Sequence, residues 1–207
     1  ELLNRGVHPC VPERSTSGSS GGMSAPAHIA LVLMGEGKAF FEDELISGAE
    51  ALQRAGLSPV ELAPKEGLSL INGTNVITGQ GVLAWEDTFR LAQQADIALA
   101  LSFEALRGRP DAFDARTHQA KRYPGQQRSA ANARKIIDGS DLHDQVPTTI
   151  QDAYSLRCAP QVHGAAREAF TYVRHILETE ANSAVDNPMV YSEEGDIVSG
   201  GNFHGET

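Results

Sequence analysis

Apolar residues recur at helical spacing along most of the chain, and this pattern predicts a mainly α fold built from long helices. The clearest repeat runs from 162 to 181, where apolar positions three and four residues apart indicate one long helix. Residues 82–106 contain neither Gly nor Pro and are apolar on most faces, which indicates a helix buried in a bundle. We expect this helix to carry apolar surface that partner helices cover. Further helices are predicted at 27–34, 41–55 and about 128–138.

The remaining stretches predict little β-structure. Residues 189–191 and 197–199 flank the polar run SEEGD and predict a small β-hairpin. Residues 72–73 are an Asn-Gly pair, which is typical of hairpin turns, although the residues that follow are helical in pattern. Residues 107–127 lose periodicity and gather Arg, Gly, Pro and His, which predicts a surface loop in which His118 is solvated.

The composition permits a real core, since 41% of the 207 residues are hydrophobic, and we expect 1–207 to form a single helical domain. The net charge of -10 and the lack of a sustained basic run argue against a nucleic-acid partner. The apolar runs are too short for a membrane span and no signal peptide opens the sequence, so we expect no membrane partner. Cys10 and Cys158 are typical of reduced thiols in a cytoplasmic protein.

Residues 15–26 differ from the rest of the chain because they contain five Ser, one Thr and three Gly. Such a composition is typical of a flexible linker. A chemical alternative is that the Gly21 nitrogen attacks the Ser19 carbonyl carbon and closes an imidazolone ring, because glycine has no Cβ to obstruct the approach. Loss of water from the ring and from the Ser20 hydroxyl would leave an exocyclic methylene, which is an electrophile. Composition alone favours the linker.

Three other segments combine polar side chains with neighbouring apolar helices, namely residues 72–74, 151–157 and 200–204. A buried polar group without a partner costs on the order of 1–3 kcal/mol, so these groups need partners in the fold. Helix capping explains any one of the segments alone. Together with the Ser/Gly loop, they favour a functional site over four unrelated caps.

Several segments match, in order, the motifs of a known family. They are LNRGVHP at 3–9, LVLMGEG at 31–37, KEGL at 65–68, INGT at 71–74, QD at 151–152, YSLRC at 154–158, EANS at 180–183, DNP at 186–188 and GGNFH at 200–204. With the Ser/Gly loop, they resemble the aromatic amino-acid ammonia-lyase family, and its histidine ammonia-lyases most of all. The likeness covers nearly the whole chain. Because the family's chains are more than twice as long, and this sequence starts at Glu1 without Met and stops at Thr207, it resembles their central section, incomplete at both ends.

The resemblance implies a long-helix bundle of the ammonia-lyase type whose subunits associate as a homotetramer. It implies a small-molecule amino-acid substrate, L-histidine, from which ammonia is eliminated without oxidation to give trans-urocanate. The prosthetic group would be a methylidene-imidazolone made autocatalytically from Ser19, Ser20 and Gly21, with no metal and no pyridoxal phosphate.

The resemblance also implies roles for residues outside the Ser/Gly loop. Asn72 and Gln151 would hydrogen-bond the ring or the substrate amine, and Tyr154 would assist proton movement. Arg157 would hold the substrate carboxylate, a role that suits the planar guanidinium fork. In the GGNFH segment, Phe203 would pack beside the ring, while Asn202 is a weaker candidate for contact with the carboxylate.

The loop departs from the family pattern, which usually reads Ala-Ser-Gly-Asp-Leu. This chain has Ser19 in place of the Ala and Gly22 in place of the Asp, so it lacks a carboxylate that could position the loop. Two alternatives stay open beside the histidine-lyase hypothesis. One is a catalytically inactive or truncated homologue, and the other is a lyase or aminomutase that acts on phenylalanine or tyrosine.

Overall fold

A computed structural model describes residues 1–14, 22–143 and 149–205. The chain divides into two compact units, unit 1 with Glu1–Gly81 and Leu177–Thr207, and unit 2 with Val82–Ile176. The assignment of 1–207 to a single helical domain stays a prediction. The helices are α1 (Ser24–Leu33), α2 (Gly48–Arg54), α3 (Glu66–Ile71), α4 (Asn75–Ala105), α5 (Ala115–Lys121), α6 (Pro124–Ile137), α7 (Tyr154–Arg157) and α8 (Ala159–Ala181). The predicted mainly α fold is confirmed.

Unit 1 contains a three-stranded antiparallel sheet that the hydrophobic pattern did not predict. Strands β1 (His8–Pro9), β2 (Lys38–Phe41) and β3 (Glu44–Ser47) pair in that order. Glu42 and Asp43 both have positive φ, 49° and 65°, and form the two-residue turn between β2 and β3. Such turns match the twist of paired strands. The helix predicted over 41–55 is therefore wrong in its first half.

Only the second half of that segment is helical, as α2. Its first turn is capped by Ser47, whose Oγ accepts a hydrogen bond from the Glu50 N–H at 3.3 Å. The helix stops before Gly56, which has a φ of +70°. Leu45, Ala49 and Leu52 are three to four residues apart and so imitate a helical face, but Leu45 belongs to β3 because β2 offers it a pairing partner.

The unit 1 core lies where the sheet meets α1 and α2. Its buried apolar residues are Val7, Val32, Ala39, Ala51 and Ala55. A second antiparallel pair in this unit, β4 (Met189–Tyr191) with β5 (Asp196–Val198), confirms the predicted hairpin.

Unit 2 is helical, with its apolar core on α4, α6, α8 and the short 3-10 helix Pro110–Phe113. The rings of Phe103 and Phe113 pack at its centre with centroids 4.6 Å apart. Exposed leucines on α4, among them Leu83, Leu91 and Leu101, confirm that this helix carries apolar surface.

The surface loop predicted over 107–127 is wrong, because this stretch contains Pro110–Phe113, α5 and the start of α6. Asp114 begins α5 by accepting a hydrogen bond from the Arg116 N–H at 2.8 Å, and Pro124 occupies the first position of α6. His118 is 1% exposed rather than solvated. Its Nδ1 accepts a hydrogen bond from the Gln126 amide at 2.9 Å, and its Nε2 donates to the Ala112 carbonyl oxygen at 3.0 Å.

None of the helices in the described part of the chain is long and apolar enough to cross a lipid bilayer. Cys10 and Cys158 are free thiols.

Candidate active site

The three residues predicted to form the ring, Ser19, Ser20 and Gly21, lie outside the described residues. The first described residue after them, Gly22, is buried and has a φ of +83°. Residues other than glycine rarely adopt this left-handed backbone conformation, so a glycine in place of the family's Asp suits the local backbone. The chain then enters α1 almost at once, and Ala25 and Pro26 are buried. These described residues fit a ring made from residues 19–21, because the chain that follows begins with a left-handed glycine and continues into the buried small side chains of α1.

Around Asp186, unit 1 brings together a set of polar side chains. We call Lys65, Ser69, Asn72, Asp186 and Asn187 the Asp186 cluster. The Asp186 Oδ2 accepts hydrogen bonds from the Lys65 ammonium and, at 2.7 Å, from the Ser69 hydroxyl. Its Oδ1 accepts from the Asn187 N–H at 2.6 Å and from the Asn72 Nδ2 at 3.2 Å.

These partners set the protonation of Asp186. Burial by itself would raise the pKa of the Asp186 carboxyl, but the hydrogen bonds from Lys65, Ser69, the Asn187 backbone and Asn72 outweigh it and lower the pKa to about 2. Asp186 is therefore a carboxylate at neutral pH, and it offers hydrogen-bond acceptors only.

The backbone at Asn72 is fixed by contacts of Asn72 itself and of the residue that follows it. Asn72 ends α3, and its N–H donates to the Leu68 carbonyl oxygen at 2.9 Å. The next residue, Gly73, has a φ of +124°, and a Cβ there would lie 2.5 Å from the Val185 carbonyl oxygen. The Asn-Gly pair is thus the link between α3 and α4, where only glycine allows this close approach.

The 200–204 segment binds the same part of unit 1. The Asn187 Oδ1 accepts hydrogen bonds from the Gly200 N–H at 2.7 Å and the Ser199 hydroxyl at 3.2 Å. The Asn202 Nδ2 donates to the Ala184 carbonyl oxygen at 3.1 Å. Two of the four predicted polar segments, 72–74 and 200–204, are therefore brought together by residues 184–187. Phe203 lies beside His204, with their ring centroids 5.0 Å apart.

Unit 2 contains the fourth polar segment, 151–157. Tyr154 and Arg157 belong to the single turn α7, and the guanidinium carbon of Arg157 lies 4.5 Å from the centroid of the Tyr154 ring. The Arg157 Nε donates to the Asp152 carbonyl oxygen at 2.9 Å, which fixes the plane of the guanidinium. The Asp152 carboxylate in turn accepts from the Arg109 N–H at 2.6 Å.

An open pocket of about 360 Å³ adjoins this turn, and Gln151, Arg157 and Cys158 contribute to its lining. Tyr154 is 72% exposed. Among the predicted site residues, unit 2 therefore places Gln151 and Arg157 on one pocket, with Tyr154 stacked on Arg157.

Sequence reasoning missed two groups. One is Asp186, for which the acidic residue next to the Asn-Pro pair of the DNP motif is a visible signal. The other is the Asp96 cluster of unit 2, which consists of Asp96, Asn132, His163 and Arg167. The Asp96 Oδ2 accepts from the Arg167 Nη2 at 2.6 Å and the Asn132 Nδ2 at 2.7 Å, and its Oδ1 accepts from the His163 Nδ1 at 2.9 Å. The available signal was an acidic residue within the apolar 82–106 helix.

Within the described ranges, no three His, Cys, Asp or Glu side chains are grouped as ligands for a metal ion. The two clusters are instead built from carboxylates, amides, an ammonium, a hydroxyl, an imidazole and a guanidinium, which donate and accept hydrogen bonds.

Comparison with solved structures defines the class of protein. The chain is similar to the crystal structure of histidine ammonia-lyase from Trypanosoma cruzi, with a TM-score of 0.82 and 39% identity over 99% of this chain and 38% of that chain. It is also similar to the phenylalanine aminomutase of Pantoea agglomerans, with a TM-score of 0.85 and 36% identity over 99% of this chain and 43% of that chain. The fold is that of the ammonia-lyases and related aminomutases.

Sequence comparison defines the family. A histidine ammonia-lyase from Koribacter versatilis strain Ellin345 is 48% identical over 220 residues, which cover 100% of this chain and 43% of that protein. The family model described as aromatic amino acid lyase matches residues 1–207. The chain therefore belongs to the aromatic amino acid lyase family. It spans less than half the length of the curated relative, since it covers 43% of it.

Proposed function

We propose that this chain is part of an ammonia-lyase that eliminates ammonia from L-histidine and releases trans-urocanate. The observation that carries the proposal is the 48% identity, along the whole chain, to a protein named histidine ammonia-lyase. The geometry of the Asp186 cluster and of α7 supports it, because both present polar groups suited to an amino acid's amine and carboxylate.

In this proposal Ser19, Ser20 and Gly21 supply the methylidene-imidazolone, with neither metal nor pyridoxal phosphate. The Gly21 nitrogen would bond to the Ser19 carbonyl carbon, and two water molecules would leave, one from the ring and one from the Ser20 hydroxyl. The group would supply an electrophile for the substrate amine, so that the amine nitrogen would become a better leaving group. The buried Gly22 and the start of α1 would hold the carboxyl end of the loop during closure.

Arg157 would bind the substrate carboxylate. A guanidinium fork binds a carboxylate with two parallel hydrogen bonds, and the bond from the Arg157 Nε to the Asp152 carbonyl oxygen orients this fork. Tyr154 would move a proton during the elimination, since its hydroxyl both donates and accepts hydrogen bonds and its ring lies against the Arg157 guanidinium that would hold the substrate.

The remaining roles fall on amide and aromatic side chains. Asn72 and Gln151 would hydrogen-bond the amine end of the substrate or the ring. Phe203 would pack beside the ring, and Asn202 would contact the carboxylate from the GGNFH segment. The β-proton of histidine is poorly acidic, so these residues must hold the substrate with that proton within hydrogen-bond reach of a base.

The assembly we propose is a cytoplasmic homotetramer without nucleic-acid or membrane partners. The exposed leucines of α4, Leu83, Leu91 and Leu101, support an assembly, because large apolar surfaces are usually covered by partner subunits.

A second candidate is a lyase or aminomutase that acts on phenylalanine or tyrosine, and the likeness to the Pantoea agglomerans aminomutase supports it. A third candidate is an inactive homologue, which the replacement of the family's Asp by Gly22 supports.

The test combines an intact-mass measurement with product analysis on the complete native protein that contains this chain. We expect a mass two water molecules below the sequence value, localised to the peptide with residues 19–21, and release of urocanate from L-histidine. Ser20→Ala should abolish both results. Ser17→Ala removes a hydroxyl from the same loop without touching the ring-forming residues, so it should change neither.

Each alternative has its own outcome. Products from phenylalanine or tyrosine without urocanate would establish the second candidate. An unmodified mass without any product would establish the third.

A further inference from the structure

We propose that Asp186 is a positioning residue that fixes the side-chain orientation of Asn72, so that Asn72 presents its carbonyl oxygen to the substrate. The inference rests on the proposed function only for the role of Asn72 in substrate binding. The orientation itself follows from the contacts of the Asp186 cluster.

The two ends of the Asn72 amide have different surroundings. Its Nδ2 donates to the Asp186 Oδ1 at 3.2 Å and to the Asn187 carbonyl oxygen at 3.4 Å. Both partners accept hydrogen bonds only, and the amide nitrogen has two hydrogens to donate. The nitrogen is therefore committed to Asp186 and Asn187, and the carbonyl oxygen is turned away from them.

The surroundings of Asn72 stabilise this orientation. A flipped amide would place its oxygen against the Asp186 carboxylate and lose both hydrogen bonds. Lys65 and Ser69 hold the carboxylate in place from its other oxygen, and Asn72 is 7% exposed, so water cannot readily replace the lost bonds. The close approach of Gly73 to Val185 fixes the backbone that carries the side chain.

The orientation of the Asn72 amide selects the group of the ligand that it can bind. A carbonyl oxygen accepts hydrogen bonds from N–H donors and is repelled by carboxylates. The amine end of an amino acid is the matching group, whereas its carboxylate is excluded from this position. Asp186 thus assigns Asn72 to the amine of the substrate rather than to its carboxylate.

The test is a double-mutant cycle in the complete native protein. In Asp186→Asn, a single amide oxygen replaces the two carboxylate oxygens that now accept from Lys65, Ser69, Asn72 and the Asn187 N–H, so Asn72 should lose its orienting partner. We expect this variant to lower kcat/KM for L-histidine by on the order of 10–100-fold, because loss of an orienting partner has effects of this size. Asn72→Ala should cause a loss at least as large, and the double variant should be no worse than Asn72→Ala alone. Additive losses, as a purely structural role would cause, would overturn the inference.

Asp196→Asn is the matched control, because Asp196 is an exposed carboxylate on β5 and its loss removes the same charge. It should leave kcat/KM unchanged. All variants are compared at equal folded fraction, measured by circular dichroism. If Asp186→Asn does not fold, Asp186→Glu keeps the charge, displaces the oxygens by one methylene, and should show the same non-additivity.

A crystal structure of the Asp186 variant provides a readout besides activity. We expect the Asn72 side chain to leave its partners in this variant and to keep them in Asp196→Asn. An unmoved Asn72 would overturn the inference. If the unaltered protein forms no urocanate, the proposed function fails, while the crystal structures still decide the role of Asp186.

Discussion

Asp186 in unit 1 and Asp96 in unit 2 both anchor a cluster of polar side chains, and the partners of the two carboxylates match closely. Each carboxylate accepts hydrogen bonds from a cation, Lys65 or Arg167, and from an asparagine amide. The residue types alone would assign the two clusters the same role.

Their surroundings differ. Asp96 is 1% exposed in its side chain, and its partners lie on α6 and α8, so the cluster joins three helices. Asp186 is 15% exposed, and its partners lie on the short α3, at its ends and in the backbone that follows Asp186 itself. A carboxylate between helices fixes their packing, whereas one at helix ends can orient a side chain toward a ligand. The role of a buried charge therefore depends on which helices or loops its hydrogen-bond partners belong to.

The largest expected effect is on stability, at Asp96. Asp96→Asn leaves the Arg167 guanidinium buried without its counterion, so the free energy of unfolding should fall by about 3–5 kcal/mol. Urea denaturation measures this loss, and Asp87→Asn, at an exposed site on the same helix, should change the free energy by less than about 0.5 kcal/mol. An Asp96→Asn loss as small as that of the control would show that Asp96 does not anchor the helices.

Alanine substitutions at two glycines, one in each unit, should have intermediate effects on the free energy of unfolding. A Cβ at Gly164 on α8 would lie 2.5 Å from the backbone of Gln126, and a Cβ at Gly73 would lie 2.5 Å from the Val185 carbonyl oxygen. Gly164→Ala and Gly73→Ala should each lower the free energy of unfolding by about 1–3 kcal/mol through overpacking and backbone strain. At equal folded fraction, only Gly73→Ala should also lower turnover.

Gly79→Ala is the control for both glycine variants. Gly79 lies within α4, and a Cβ there would meet nothing within 4 Å. Alanine should therefore be neutral or stabilise the helix by up to about 1 kcal/mol. If Gly164→Ala lowered turnover as much as Gly73→Ala, the division between a packing cluster and an orienting cluster would be wrong.

The smallest expected effect is the change in the free energy of unfolding when Asp186 is protonated at low pH. Its pKa is lowered from 3.8 to about 2 in the folded protein, so its stabilisation is complete above pH 3.8 and is lost as the pH falls through about 2. Because the site is close to solvent, we expect on the order of 1 kcal/mol. Unfolding curves between about pH 2 and 5 should show the unaltered protein's advantage over Asp186→Asn shrinking in this window.

Asp114 titrates in the same range, since the side-chain hydrogen bond from Arg116 lowers its pKa to about 2. Asp114 titrates in the unaltered protein and in Asp186→Asn alike, so its contribution cancels when the two free energies of unfolding are subtracted. A difference that stays constant down to pH 2 would contradict the assigned state of Asp186.

The hydrophobic pattern predicted the long helices well, because local periodicity follows directly from one buried face. It failed at 41–55, where Leu45, Ala49 and Leu52 imitate a helical face. The turn residues Glu42 and Asp43 contain neither Gly nor Asn, so they gave no hairpin signal, and β2 decided the outcome by pairing. It failed again at His118, whose burial depends on Gln126 and the Ala112 carbonyl oxygen rather than on its own neighbours in sequence.

By itself, the sequence determined the family and the mainly helical class, because motifs and helical periods are properties of residues close together along the chain. Only the tertiary structure decided which polar groups meet. Asn72 and Asp186 are 114 residues apart, and Asp96 and Arg167 are 71 residues apart. The partner of a carboxylate depends on which distant segments of the chain pack beside it, and local sequence patterns do not contain that information. The orientation of Asn72, on which its proposed chemistry depends, is therefore a property of the fold.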